Sequence, residues 1–431
     1  MDSATVRAKH QEFLFPCVAN YYQEPVVITQ ASGACVRDAD GRDYLDFFGG
    51  ILTLGVGHCH PEVTERLQAQ LARLVHTATV YPTEEIVRVA EKLARITPGK
   101  LKKSFFTTSG TDADETAIML AKIYTGRQEI IALRHSYAGR SMNAIAVTGQ
   151  SPWRILPTQV PGIKHGLSPY CYRCPLGLTY PSCEVKCAQD LEELIRTETT
   201  GAPAAFIAEP IQGAGGFITP PKEYFQLAVG IVRKYGGVFI CDEVQTGWGR
   251  TGDTWCGIEH WDVEPDIMTF AKSIANGFPV GATIATEEVA NAMTGLSLST
   301  FGGNPISMTA VDATIDVMEK ENTPQRSAER GRQLREGLEG FKQDFAFIGD
   351  VRGMRLMQAL ELVDDRRTKA ASPTRAKRLL EATKAEGVLV GVGGLHNHVI
   401  RMGPSLLITA EEVDEALDRL GRACARVERA D

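Results

Sequence analysis

The sequence predicts an α/β protein, with a mostly parallel sheet sandwiched by helices and a smaller α+β domain after it. Three observations predict it. Through the middle of the chain, short apolar runs alternate with helical patterns, as a parallel sheet with crossover helices requires. After Pro305 the texture changes to amphipathic helices with a few strands. At 431 residues the chain can bury a large core, and two domains or so are expected.

The elements follow in order. Residues 104–108 read as a strand, followed by Ser109-Gly110-Thr111 and a helix through 113–120. Residues 129–133 read as a second strand and 204–208 as a third, ending at Glu209-Pro210. A helix over 224–235 leads through Gly236-Gly237 into a strand at 238–242. A further short strand at 267–270 has Ala271-Lys272 at its end. Beyond Pro305 a long helical region holds 310–318, and the charged Glu319-Lys320-Glu321-Asn322 marks a boundary. Amphipathic helices are expected at 332–341, 375–386 and 410–427, with strands at 354–360 and 399–402. The chain thus divides into an N-terminal segment (1–60) packing with the small domain, a large domain (61–318) and a small C-terminal domain (319–431).

Composition excludes several classes. Hydrophobic residues make up 43% and charged residues 23%, ordinary for a globular protein. A net charge of −7 leaves no excess of Lys and Arg to meet the phosphates of a nucleic acid or an anionic membrane. The first residues, Met1 to His10, mix charges without an apolar stretch, so no secretory signal is read there. No run approaches the length that spans a bilayer. A cytoplasmic location is the expectation.

Of ten cysteines, Cys35, Cys241 and Cys256 lie among apolar or aromatic neighbours and read as small buried hydrophobes. Cys171, Cys174, Cys183 and Cys187 cluster in a Pro- and Tyr-rich insertion at 168–188. Their spacing admits structural zinc, disulfides, or simple loop packing. A cytosolic setting argues against disulfides, and no metal is assigned.

In an open parallel sheet, ligands bind outside the carboxyl ends of the strands. Those ends carry Ser109-Gly110-Thr111, His135-Ser136-Tyr137, Glu209, Asp242 with Gln245, and Lys272. A phosphorylated, aromatic, cationic aldehyde would use all of them. Ser109-Gly110-Thr111 lies where free N–H groups and the helix dipole favour an anion; it would also serve as a simple N-cap. Asp242 ends a buried strand, where a carboxylate needs a positive partner, either a protonated pyridine nitrogen or an internal Arg. Gln245 is placed to bond a ring hydroxyl. Lys272 is either a surface lysine or a desolvated nucleophile towards an aldehyde. Tyr137 is either a ring-stacking aromatic or an ordinary half-buried tyrosine. Gly247-Trp248-Gly249-Arg250-Thr251-Gly252 fits G-x-G-x-x-G but opens no helix, so the dinucleotide reading is rejected. Gly391-Val392-Gly393-Gly394 is rejected on the same ground.

At these residues the sequence resembles the class III (ω-amino acid type) aminotransferases, pyridoxal-phosphate enzymes of fold type I. The matching stretches are Ser109 to Glu115, Glu209 to Gly216, Asp242 to Gly252, Ala271-Lys272 and Thr300 to Pro305. Phe47 to Ile51 with Val56 to Pro61 most resembles the alanine–glyoxylate aminotransferase 2 subgroup. The resemblance implies that Lys272 carries pyridoxal 5′-phosphate covalently and moves the proton between the α-carbon and C4′. It implies that Asp242 holds the pyridine nitrogen protonated and that Gln245 contacts the ring hydroxyl. Val244 and Tyr137 would sandwich the ring, Gly110 and Thr111 would hold the phosphate, and Ser109 and Glu209 complete the cofactor set. Thr300 would reach the phosphate of a neighbouring subunit, implying a homodimer. Arg401 matches a carboxylate-binding arginine, a task that suits its fork, although a structural ion pair is the plain alternative.

The chain departs from the resembled pattern at Ala138, where His is frequent, at Asp114, where Asn is usual, and at Gly403-Pro404-Ser405. Gln212-Gly213-Ala214-Gly215 lacks the glutamate that in some relatives switches the arginine off. That leaves Arg401 free for small carboxylated substrates such as alanine, pyruvate or glyoxylate. A lyase or racemase on the same fold is the rival outcome.

Overall fold

Seven strands form the central sheet of the computed structural model, which describes residues 1–18, 20–156 and 160–430. From one edge their order is Leu101–Thr107, Gly281–Thr286, Ile267–Phe270, Val238–Asp242, Ala205–Ala208, Ile130–Leu133 and Ile163–Gly166. Five of them pair in parallel, from Ile163–Gly166 through to Ile267–Phe270. Gly281–Thr286 runs antiparallel to both its neighbours, so Leu101–Thr107 again points the same way as the parallel set. Six of the seven carboxyl ends therefore share one rim.

Burial on both faces explains the apolar runs that mark these strands. Every residue of Val238–Asp242, Ala205–Ala208, Ile130–Leu133 and Ile267–Phe270 is buried, as expected where helices cover a parallel sheet on both sides. The expected strands at 238–242 and 267–270 are found with those bounds, and 104–108, 129–133 and 204–208 with small shifts. Two strands escaped the sequence reading. Ile163–Gly166 is half polar (I-K-H-G), and Gly281–Thr286 is built mainly of small residues; neither makes an apolar run.

The N-terminal strands Ile28–Ser32, Cys35–Asp38 and Asp43–Asp46 form a four-stranded sheet with Val388–Leu389, which joins Asp43–Asp46 in parallel. A third sheet holds Ile348–Met354, Met357–Asp365, Val399–Met402 and Gly391–Gly393, with Ala370–Ala371 on its flank. The single strand expected at 354–360 is corrected here. Met354 and Met357 are the last pair of a tight hairpin, and Arg355 turns the chain at φ 47°. The expected helices at 332–341, 375–386 and 410–427 are Thr323–Asp344, Pro373–Glu386 and Ala410–Glu428. The helix expected at 310–318 is Pro305–Lys320, so the charged stretch begins in its last turn.

One cysteine reading also needs correction. Cys241 and Cys256 are buried, but Cys35 is exposed. Burial alternates along Cys35–Asp38, and period-two geometry turns Val36 inward and Cys35 outward.

A buried ionic hub ties the 168–188 insertion to the third sheet. Glu361, fully buried, accepts from Arg352 Nη1 at 2.5 Å, from Tyr170 Oη and from Arg173 Nε. Arg352 Nε donates onward to the Gly216 carbonyl at 2.7 Å, linking the hub to the 212–217 loop. Replacing Glu361 by Gln leaves two cations short of their shared anion. The expected cost is about 3–5 kcal/mol, read as a lower midpoint in chemical denaturation; an unmoved midpoint would show the hub to be energetically idle.

Candidate active site

Each functional side chain is delivered by a strand end. The Leu101–Thr107 strand runs into the helix Gly110–Thr125, whose N-cap Ser109 accepts from the Asp112 N–H at 3.2 Å. The first N–H groups of a helix have no intrahelical acceptor, so those of Gly110 and Thr111 are available to an anion. The Thr111 hydroxyl in turn accepts from the Arg140 N–H at 3.3 Å, fixing the loop after Ile130–Leu133 beside the helix start. Gly139 permits that approach, since a Cβ there would lie 2.2 Å from Thr111 Oγ1.

Glu209, at the end of Ala205–Ala208, braces two loops at once. Its carboxylate accepts from the Tyr137 N–H at 3.1 Å and the Gly213 N–H at 2.8 Å. Asp242 accepts from the Val244 N–H at 2.9 Å, and Val244 and Gln245 follow on the same turn. Lys272 opens the short helix Lys272–Ala275 at φ 53°. A lysine in the left-handed region is strained, and such strain concentrates where side-chain placement matters.

These residues meet in one cavity of about 140 Å³, lined by Gly110, Thr111, Tyr137, Glu209, Asp242, Val244, Gln245 and Lys272 among others. The remaining expected residues fall outside that lining. Ser109 acts as the N-cap behind it. Arg401 lies in Val399–Met402, 5% exposed, and its positive charge is felt at Lys272. Thr300 is exposed on the surface. Four cavity-wall residues were missed as such by the sequence reading: Asp114 and Ala138, noted there only as departures, Gly139 and Ala271. Helical spacing could have found Asp114, because it lies three residues beyond Thr111 and so shares its face.

The electrostatics are those of a site built to be filled. Burial is the leading cause that raises the Asp242 and Glu209 carboxyls above their ordinary range. Lys272 is half-buried at the cavity wall, yet desolvation depresses its ammonium, against the pull of Asp242, Glu209 and Asp114. Gln245 Oε1 is buried without a hydrogen-bond partner, an orphan that a ring hydroxyl would satisfy. Gly213 packs so tightly there that a Cβ would lie 2.1 Å from Gln245 Nε2. The residues present fit a planar phosphorylated pyridine.

Arg401 is the other cation of the region. It donates to carbonyls, Nη1 to Gly213 at 3.1 Å and Nη2 and Nε to Val392 at 2.9 and 3.2 Å, and the Tyr21 side chain also acts on it. The rings of Phe48 and Phe217 flank it at 5.2 and 5.7 Å. Burial lowers its pKa from the ordinary value. Among the described residues it has no ion pair.

The four insertion cysteines are free thiols and line a separate small hollow with Pro169, Tyr170 and Leu176. Among the described residues no three His, Cys, Asp or Glu are grouped to hold a metal ion.

A rim of this kind takes an aromatic aldehyde bearing a phosphate, and that defines the class: an enzyme of the pyridoxal-phosphate type. The chain belongs to the class-III aminotransferases, whose family model matches residues 17–424. It is 42% identical over 417 residues to alanine–glyoxylate aminotransferase 2 homolog 2, mitochondrial, of Arabidopsis thaliana, covering 96% of this chain and 86% of that protein. It is 35% identical over 419 residues to the leucine/methionine racemase of Thermococcus litoralis, covering 96% and 94%. An amine transaminase from an uncultivated Pseudomonas species, solved with pyridoxal phosphate bound, superposes with a TM-score of 0.90 at 31% identity, covering 96% of this chain and 98% of that one. The cofactor is pyridoxal phosphate, and the enzyme is a transferase of fold type I. No helix among the described residues is long and apolar enough to cross a membrane.

Proposed function

We propose that this aminotransferase moves the amino group of an amino acid, of the alanine or ω/β-amino acid type, to a small keto acid such as pyruvate or glyoxylate. The two substrates take turns in a ping-pong cycle. The observation that carries this reading is Arg401, a buried cation that bonds the Gly213 and Val392 carbonyls and has no ion pair among the described residues, close enough to act electrostatically on Lys272.

When bound, pyridoxal phosphate supplies an aldehyde for the amine and a ring that accepts the electrons left behind by the α-proton. The chain does the rest. Lys272, its pKa depressed by burial, offers a neutral amine to that aldehyde and later carries the proton between the substrate α-carbon and C4′. Asp242 holds a proton on the ring nitrogen. Gln245 Oε1 would receive the ring hydroxyl, Val244 and Tyr137 would take the two faces, and the Gly110 and Thr111 N–H groups would hold the phosphate. Arg401 fixes the substrate carboxylate by its fork, and Ala214 offers no side-chain carboxylate to compete for it.

The same proposal includes a homodimer in which exposed Thr300 reaches the partner subunit's phosphate; a monomeric mass in solution at working concentration would remove that part. It also includes the division at 60 and 318, supported by the Asp43–Asp46 to Val388–Leu389 pairing. Cytoplasmic residence belongs here too; the mitochondrial name is that of the Arabidopsis relative.

A racemase is the second reading, favoured by the Thermococcus litoralis likeness, and a lyase the third. A panel of amino donors, with pyruvate, glyoxylate and 2-oxoglutarate as acceptors, separates them. The expected result is conversion of the cofactor to its amine form by donor alone, and its return by a small keto acid. Ammonia release without a keto acid would mean a lyase, and inversion of the donor without a keto product would mean a racemase.

A further inference from the structure

Three carboxyl groups and a single lysine line the cofactor cavity: Asp114, Glu209, Asp242 and Lys272. Asp242 has a role in the proposed reaction, and Glu209 braces the loops that carry Tyr137 and Gly213. Asp114 has none, and it is 1% exposed. It projects from the Gly110–Thr125 helix. Its Oδ1 accepts from the Thr269 hydroxyl at 2.8 Å, and Thr269 is the ladder partner of Asp242 on the adjacent strand. Two buried acids of the cavity lining are thus connected through one threonine.

The three groups differ in what surrounds them. Glu209 accepts two backbone N–H groups and Asp242 one; such donors stabilise an anion. Asp114 accepts only a hydroxyl, and no Lys, Arg or His is ion-paired with it among the described residues. A buried carboxylate with so little support is costly in its charged form.

We propose that Asp114 is the protonated member of this set and acts on Asp242 as a positioning residue. Neutral at working pH, it leaves Asp242 as the single negative charge that faces the ring nitrogen from that side. The inference rests on the proposed cofactor site and deepens it. Burial first, then the Asp242 charge, pushes the Asp114 carboxyl well above its ordinary value, against the Thr269 hydroxyl. Besides Asp242 and Thr269, the groups that act on it electrostatically are Glu209 and Lys272.

The sign of the linkage gives the test. An acid protonated in the fold and ionised in the unfolded chain releases a proton on unfolding. Its stabilising effect is complete below the unfolded pKa of about 4 and declines as pH rises towards the folded value. The unfolding constant of the wild type, divided by that of Asp114→Asn, should therefore rise about tenfold per pH unit from pH ~4 towards neutrality. Contributions of Glu209, Asp242 and Lys272 are common to both proteins and largely cancel. In infrared difference spectra, the protonated-carboxyl C=O band of the wild type should disappear in Asp114→Asn. Cofactor affinity should be about tenfold weaker in Asp114→Leu, which cannot accept from the Thr269 hydroxyl, than in Asp114→Asn, whose neutral amide oxygen still can.

A flat ratio together with an unchanged infrared band would overturn the proposal and make Asp114 an ordinary ionised acid. A pH step that vanishes in Glu209→Gln and persists in Asp114→Asn would also overturn it, by assigning the proton to Glu209. Borohydride reduction of the wild-type holoenzyme, followed by peptide mapping, keeps the two levels apart. An adduct on Lys272 with a flat Asp114 ratio sinks this inference alone, whereas no adduct on Lys272 sinks the site on which it rests.

Discussion

Lys272→Ala is expected to lose transamination by about 10⁴-fold or more. Proton transfer by a placed side chain contributes up to about 10⁴-fold, and this residue is also proposed as the amine that holds the aldehyde. The cleanest measurement is the half-reaction: an amino donor alone should no longer convert the cofactor at an appreciable rate. Borohydride should leave no label at position 272. Lys272→Arg should fare no better, because a guanidinium keeps its proton and cannot act as a neutral amine. In the wild type, burial depresses the Lys272 ammonium, so the neutral amine survives to lower pH than on a free lysine. The acid limb of the rate of cofactor capture should be displaced accordingly. A variant with near-native turnover would overturn the assignment of Lys272.

Arg401→Ala should lower kcat/KM for carboxylated substrates by roughly 30- to 5,000-fold, the equivalent of about 2–5 kcal/mol for losing one partner of a buried charge pair. Simple amines that lack a carboxylate should be almost unaffected. That contrast separates substrate anchoring from structural damage, since a misplaced strand would harm both. Arg401→Lys should recover little, because a point charge cannot reproduce two parallel N–H bonds and cannot span both the Gly213 and Val392 carbonyls. An equal loss for amines and amino acids would mean that Arg401 holds the 212–217 loop and nothing more.

The two predictions differ in how they arose. Lys272 was legible because a reactive amine at the end of an apolar strand, among acids and amides on neighbouring ends, is a local pattern repeated along the chain. Arg401 was named through family resemblance alone; in the sequence itself it sits in an ordinary short strand. What distinguishes it is that it is buried without an ion pair among the described residues, and that depends on three distant segments, at Phe48, Gly213 and Val392, folding onto one another.

The structure also corrected errors that have physical causes. The 354–360 strand was misplaced because apolar residues on both sides of a two-residue turn read as one run. Cys35 was misjudged because its neighbours in sequence are apolar while its own side of the strand faces out.

By itself the sequence determined the parallel core, the rim on which the chemistry stands and the residues at each strand end, because burial on both faces and turns at strand ends are written in consecutive residues. Tertiary structure alone decided that Glu209 staples two loops, that Arg401 has no ion pair among the described residues and that Thr300 lies outside the cavity lining of its own chain. Each of these depends on segments far apart in the chain, and desolvation, which shifts the carboxyls and the lysine, exists only once those segments have closed around them.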